Sequence, residues 1–216
     1  MRFLAARTKQ GLLVLATLLA GSLISLPAAA QADAQQWIAS ALASQSLSGP
    51  TCADPALSQP FTAWKDQNYY TLAPGQSDSN FTGEDWLLLG GANIQQSTLA
   101  DGSTGNVLDL PSGSLAISPP MCVDVRYPTA RTMVQNVTGG GGVHAFISYA
   151  GTSTWGKPRD GGAVHGKDGN WALSDPIHLQ PSHDPGWQLV RFGLVPDGKN
   201  SEFLLYNLYV DPYAKR

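Results

Sequence analysis

The chain has 216 residues, of which 43 % are hydrophobic and 13 % charged, and a formal net charge of −3. That length is enough for a sizeable core. The lack of a basic surplus excludes a binder of nucleic-acid backbones, which needs clustered Lys and Arg.

The first residues set the compartment. Arg2, Arg7 and Lys9 precede an almost wholly apolar run, residues 11–26, and Pro27-Ala28-Ala29-Ala30 follows with small residues at a cleavable spacing. This order predicts a secretory signal peptide over residues 1–30 and a secreted, extracellular protein. Ala32-Asp33-Ala34 offers a second cut, so the mature chain is expected to start at Gln31 or Gln35. The competing reading is an uncleaved membrane anchor. No later run is long and apolar enough to span a bilayer, so no membrane span is expected after cleavage. Cleavage leaves ten Lys and Arg against sixteen acids, a formal charge of −6. Fourteen of those acids are Asp, and Gly and Pro number 23 and 15, so turns and short strands are expected rather than long helices.

Residues 31–50 read as a partly helical extension. Trp37, Ile38, Ala41 and Leu42 have helical spacing, and Ser48-Gly49-Pro50 ends it. Residues 51–214 form the predicted main domain. In its first part Phe61, Trp64, Tyr69, Tyr70 and Leu72 suit a segment laid over a core. Strands are expected from residue 86 to 89, continuing over Ala92 to Ile94 past a bend or bulge at Gly90-Gly91, and at 107–110, 115–117, 121–125, 131–137 and 143–150. Four glycines, Gly139 to Gly142, fit a hairpin connection between the last two. They do not resemble a phosphate cradle, because no helix signal follows. Residues 151–170 read as one long polar loop, followed by short strands at 171–173 and 177–179.

The chain closes on two runs of period two. Val190, Phe192 and Leu194 share one face. Leu204, Tyr206, Leu208 and Val210 share another, and both faces of that last strand are apolar. Pro196-Asp197-Gly198 between the runs predicts a turn joining antiparallel neighbours. The whole pattern indicates an all-β fold, an antiparallel β-sandwich of the jelly-roll kind with a short N-terminal helix after the signal peptide. Cys52 and Cys122 form either one disulfide, as an even count in an oxidising compartment suggests, or two buried thiols.

Several chemistries lack their parts. There is no Gly-x-Ser-x-Gly, no His-Glu-x-x-His and no cysteine cluster, so no catalytic residue, metal site or cofactor is assigned. His178 and His183, with Asp184, do not have a standard ligand spacing. The best ligand candidates are Tyr149, Trp155, His165 and Trp171, because residues 151–170 and their flanks combine large aromatics with charged donors and acceptors. Sugar rings stack on indole faces while their hydroxyls need paired partners. The structural alternative is that Trp155 and Trp171 cap the ends of the sandwich.

An ordered set of short pieces carries a resemblance. It includes Phe61-Thr62-Ala63-Trp64, Leu72-Ala73-Pro74-Gly75, Trp86-Leu87-Leu88-Leu89-Gly90-Gly91, Ser118-Pro119-Pro120-Met121-Cys122 and Tyr209-Val210-Asp211-Pro212. Together these resemble a family of small secreted bacterial proteins, and the likeness covers nearly all of the mature chain. It implies a galactose-binding-like jelly roll similar to carbohydrate-binding modules, with Cys52 and Cys122 bridged. Such modules often hold a structural calcium, but here the two expected acidic positions read Asn80-Phe81-Thr82 and Tyr206-Asn207. Asp78, Glu84 and Asp85 could partly substitute, and the alternative is a solvated acidic loop.

Three functions follow as expectations. The first is a non-catalytic glycan-binding protein with an extracellular glycan as partner. The second is a surface or matrix protein acting through contacts with other surface proteins. The third is a jelly-roll polysaccharide lyase, for which Arg126, Arg131, His144 and Tyr149 would have to converge.

Overall fold

The computed structural model describes residues 28–123, 129–181 and 186–211. Residues 1–27 of the expected signal peptide (residues 1–30) lie outside this set, as do Arg126, His183, Asp184 and Pro212. Helix α1 (Ala28–Leu42) leads and a 3₁₀ turn (Thr62–Trp64) follows. The strands are then β1 (Thr71–Leu72), β2 (Gln76–Ser77), β3 (Asn80–Phe81), β4 (Leu87–Leu89), β5 (Asn93–Thr98), β6 (Thr104–Pro111), β7 (Leu115–Ile117) and β8 (Met121–Val123). They continue as β9 (Thr129–Thr138), β10 (Val143–Tyr149), β11 (Arg159–Val164), β12 (Lys167–Asp168), β13 (Trp171–Leu173), β14 (Ile177–His178), β15 (Gln188–Pro196) and β16 (Glu202–Asp211).

Two sheets face each other. One runs β12-β9-β16-β6-β5, with β1 on β16 and with β13 and β14 on β9; the other runs β11-β10-β15-β7-β4, with β8 on β15. Leu108, Leu110, Val134, Phe203 and Leu205 of the first sheet meet Ala145, Ile147, Val190, Phe192 and Leu194 of the second in the central core. The antiparallel sandwich is therefore present as expected. Among the described residues no helix is long and apolar enough to cross a membrane. Cys52 and Cys122 are bridged, with Cα atoms 5.6 Å apart and 70 residues between them in sequence.

Each sheet is also covered on its outer face. Ala34, Ile38 and Leu42, at helical spacing along one side of α1, pack on Leu115, Ile117, Phe146 and Val195. Gly193 on β15 allows this approach: a Cβ there would stand 2.9 Å from Ile38 Cδ1. The helix begins at Ala28, ahead of both expected cuts, and is a packed part of the sandwich. On the other sheet Phe61 and Tyr70 lie edge-on to Tyr209, with centroids 5.5 and 6.4 Å away. Burying an apolar outer face in this way is what makes both sides of β16 read as hydrophobic.

Four expectations need correction. The two closing runs are not neighbours. β15 pairs with β10, β7 and β8, whereas β16 lies between β9 and β6 in the opposite sheet. The glycines 139–142 likewise connect strands of different sheets and do not form a hairpin. The two crossings pack on each other: the Gly142 amide donates to Asp197 Oδ1, and the Asp197 amide donates to Gly142 O at 2.8 Å. Gly141 sits at φ 94°, where a Cβ would meet Asp197. In both cases a turn signal marks a reversal but not whether the chain returns to the same sheet.

The third correction concerns the faces of β16. Phe203 and Leu205 point into the core, but so do Leu208 and Val210, while Leu204, Tyr206 and Tyr209 join the outer cluster. The strict alternation breaks at Asn207, which adopts φ 56° where the register shifts between Tyr206 and Tyr209. A bulge of this kind inserts one residue and reverses the facing of everything after it. Fourth, the expected loop 151–170 contains edge strand β11 and the short β12. Gly161 and Gly162 conceal the strand signal. A Cβ at Gly161 would lie 2.9 Å from His178 O, so close backbone contact takes the place of side-chain packing there.

Candidate functional site

The outer face of the first sheet is only partly covered, and a cleft of about 370 Å³ remains beside the covering segment. Trp64 and Trp171 line it, together with Leu99, Gln135 and Asn170. Local chain features place each residue. Trp64 ends the 3₁₀ turn, and Lys65 reverses the chain at φ 64°. Phe61 at the start of that turn is 1 % exposed and anchors it, which leaves Trp64 38 % exposed. Trp171 pairs with Gln135 in the β13–β9 ladder, so the two side chains stand on the same face.

The Trp171 ring is fixed from two directions. Its Nε1 donates to Thr98 O at 2.7 Å, and its ring meets Tyr206 edge-on with centroids 4.7 Å apart. Burial raises the pKa of Tyr206, whose hydroxyl accepts from the Ala100 amide at 3.3 Å. Gln135 Nε2 donates to Gly169 O at 2.8 Å and Asn170 Nδ2 to Asp168 O at 3.0 Å. Among the described residues nothing donates to either amide oxygen. The cleft thus offers two indole rings, with their polar edges accounted for on Trp171, and two amides held as acceptors. It has the parts for a ring-shaped polar ligand, and its described lining residues include no Asp, Glu, His or Cys.

Of the four ligand residues expected from sequence, only Trp171 lines this cleft. Trp155 is 9 % exposed, lies outside the second sheet in the cluster beneath α1, and donates from Nε1 to Ser46 O at 3.2 Å. Its ring therefore offers no open face for stacking. Tyr149 donates to Leu179 O at 2.7 Å with Arg159 over its ring, and burial raises its pKa although the charge of Arg159 lowers it. His165 is exposed and its Nδ1 lies 3.2 Å from Gly141 O, at the crossing loops. The residue missed by sequence reading is Trp64. Phe61 and Trp64 are both aromatic, and only the fold decides which of them faces inward.

The other chemistries find no common site. Arg131 stands on β9 of the first sheet, paired with Asp66, while His144 and Tyr149 stand on β10 of the second, so a lyase centre is not assembled from them. His144 is 2 % exposed between Asp197, 3.3 Å from its Nε2, and Asp160, 3.8 Å from its Nδ1. That neighbour, against some cost of burial, holds the Asp160 carboxyl below its usual range. Among the described residues no three His, Cys, Asp or Glu side chains converge as metal ligands. At the position where the resemblance implies calcium, Thr82 Oγ1 donates to Gly75 O at 2.8 Å, and Asn80 Oδ1 accepts from the Asn106 amide at 3.2 Å.

No protein-family model matches the chain, and neither does any curated relative. Solved structures resemble it at low identity. The family 11 carbohydrate-binding module from Clostridium thermocellum, in complex with a β-1,3-1,4-mixed-linked tetrasaccharide, is 10 % identical with TM-score 0.38, over 61 % of this chain and 89 % of that one. The CBM22-1 xylan-binding domain of Paenibacillus barcinonensis Xyn10C is 12 % identical with TM-score 0.39, over 66 % and 93 %. TmCBM61 in complex with β-1,4-galactotriose is 9 % identical with TM-score 0.34, over 59 % and 88 %. The architecture of this chain, an antiparallel sandwich of two facing sheets, rests on its own strand pairing.

Proposed function

We propose that the protein is a secreted, non-catalytic β-sandwich protein that binds an extracellular glycan in the Trp64–Trp171 cleft. The observation that carries this reading is the pair of tryptophans on one cleft with Gln135 and Asn170. Indole faces accept the C–H surface of a sugar, and fixed amide oxygens accept from its hydroxyls. The secretory reading of residues 1–30 supplies the compartment in which such a ligand is met.

Affinity electrophoresis of the mature protein through gels containing soluble plant and bacterial polysaccharides tests the proposal. The parent is expected to be retarded by at least one neutral polysaccharide. Trp64→Ala should weaken retardation by about tenfold or more, with an unfolding midpoint close to the parent's, because the ring is already largely outside the core. A parent that no polysaccharide retards, or a Trp64→Ala protein retarded like the parent, would overturn the reading. A role in protein contacts is favoured by one observation, the exposure of Tyr69 and Leu57 on the same covering segment as Trp64, at 48 % and 37 %. It predicts self-association or partner binding that Tyr69→Ser abolishes and polysaccharide does not compete.

A further inference from the structure

A second cleft, of about 540 Å³, opens on the outer side of the second sheet. Pro50, Pro74, Pro119 and Pro120 form much of its wall, with Gln45, Ser48 and Asp85 as polar members. Arg191 of β15 also lines it, although it is only 7 % exposed. The core cannot take this arginine, because Val190 and Phe192 on either side of it face inward and alternation turns Arg191 out. The Trp155 ring, 5.1 Å from the guanidinium carbon, covers it there, and its Nη1 donates to Ser118 O at 2.7 Å. Its Nε is buried and has no hydrogen-bond partner.

A buried guanidinium with an unused donor is costly, since both its charge and its N–H have lost water. Burial lowers the pKa of Arg191, and the nearby Asp85 only partly counters this. The planar fork of arginine matches a carboxylate through two parallel hydrogen bonds. Asp85 argues against a more highly charged anion, because its own negative charge shares the cleft.

We propose that the Arg191 cleft is a binding site for a small molecule bearing a single carboxylate, which pairs with the guanidinium of Arg191 between the proline walls. The site lies on the opposite sheet from the Trp64–Trp171 cleft and stands or falls independently of the glycan reading.

Isothermal titration of the mature protein tests this with four probes: galacturonate, N-acetylglycine, the methyl ester of galacturonate, and inorganic phosphate. One of the two carboxylates is expected to bind saturably, and which one binds identifies a uronic acid or an amino-acid carboxylate as the source. The ester should not bind, and phosphate should bind at least about tenfold more weakly. Arg191→Lys keeps the charge but loses the fork, and should weaken the carboxylate by about thirtyfold or more. Asp85→Asn removes the competing charge and should tighten binding several-fold. That outcome still decides the matter if the arginine variant fails to fold. No saturable binding of either carboxylate, equal binding of the ester or of phosphate, or an Asp85→Asn protein no tighter than the parent would overturn the proposal.

Discussion

Arg131 Nη1 lies 2.7 Å from Asp66 Oδ2, and this contact ties the covering segment to strand β9 of the sheet beneath it. Tyr70 donates to the same oxygen at 2.6 Å, and the Asn68 amide donates to Oδ1 at 3.0 Å. Burial opposes the ionised form of Asp66, but these hydrogen bonds and the charge of Arg131 outweigh it, so its pKa is lowered. The same arrangement pushes the Tyr70 hydroxyl upward, through burial and through its bond to Asp66.

The sign of the pH dependence follows. A lowered pKa means that the unfolded chain takes up a proton first as the solution is acidified. The stability from this cluster is therefore complete above the unfolded value of about 3.9, and is lost as pH falls through the folded value. Asp66→Asn should cost about 1.5–3 kcal/mol at pH 7, the range for hydrogen bonds to charged groups. Urea titrations from pH 7 to pH 3 should show the gap between parent and variant closing in the acid range. A gap that stays constant with pH would show that Asp66 contributes only through packing.

The bulge at Asn207 gives a second expectation. Its φ of 56° is in the left-handed region, which Asn and Gly tolerate and β-branched residues do not. Asn207→Gly should leave stability within about 0.5 kcal/mol, whereas Asn207→Val should cost about 1–3 kcal/mol. Equal denaturation midpoints for the two variants would mean that the reversal of facing between Leu205 and Leu208 does not depend on this residue.

Trp155 supplies the third. The ring is buried in the cluster that holds Ala34, Leu42 and Phe146, and it also covers Arg191. Trp155→Ala should destabilise by about 3–5 kcal/mol, as for a large aromatic removed from a core. Polysaccharide retardation, measured well below the variant's unfolding midpoint, should match that of the parent. A stable variant that lost retardation would move the glycan surface to the opposite sheet.

Much of the fold was legible as local pattern. Period-two runs located β15 and β16, turn signals on either side marked out β10, and Gly90-Gly91 marked the bend after β4. The even cysteine count left a bridge or two free thiols open, and Cys52 and Cys122 are joined. These signals are local because the strand pleat and turn preferences act over a few residues. β11 was not legible, because Gly161 and Gly162 supply backbone contact in place of an apolar face.

By itself, then, the sequence determined that the chain is an all-β sandwich of short strands, and that β16 is buried on both sides. Tertiary structure decided which sheet each strand joins. It placed β15 and β16 on opposite layers, although the turn between them could equally have closed a hairpin. It also decided which aromatics face solvent. Phe61 went inward and left Trp64 beside Trp171, while Trp155 went beneath α1. An aromatic side chain gains by burial wherever a partner surface arrives, and that surface comes from residues distant in the chain. Local pattern carries no record of which distant surface will arrive, so both clefts emerged only when the sheets and their coverings were in place.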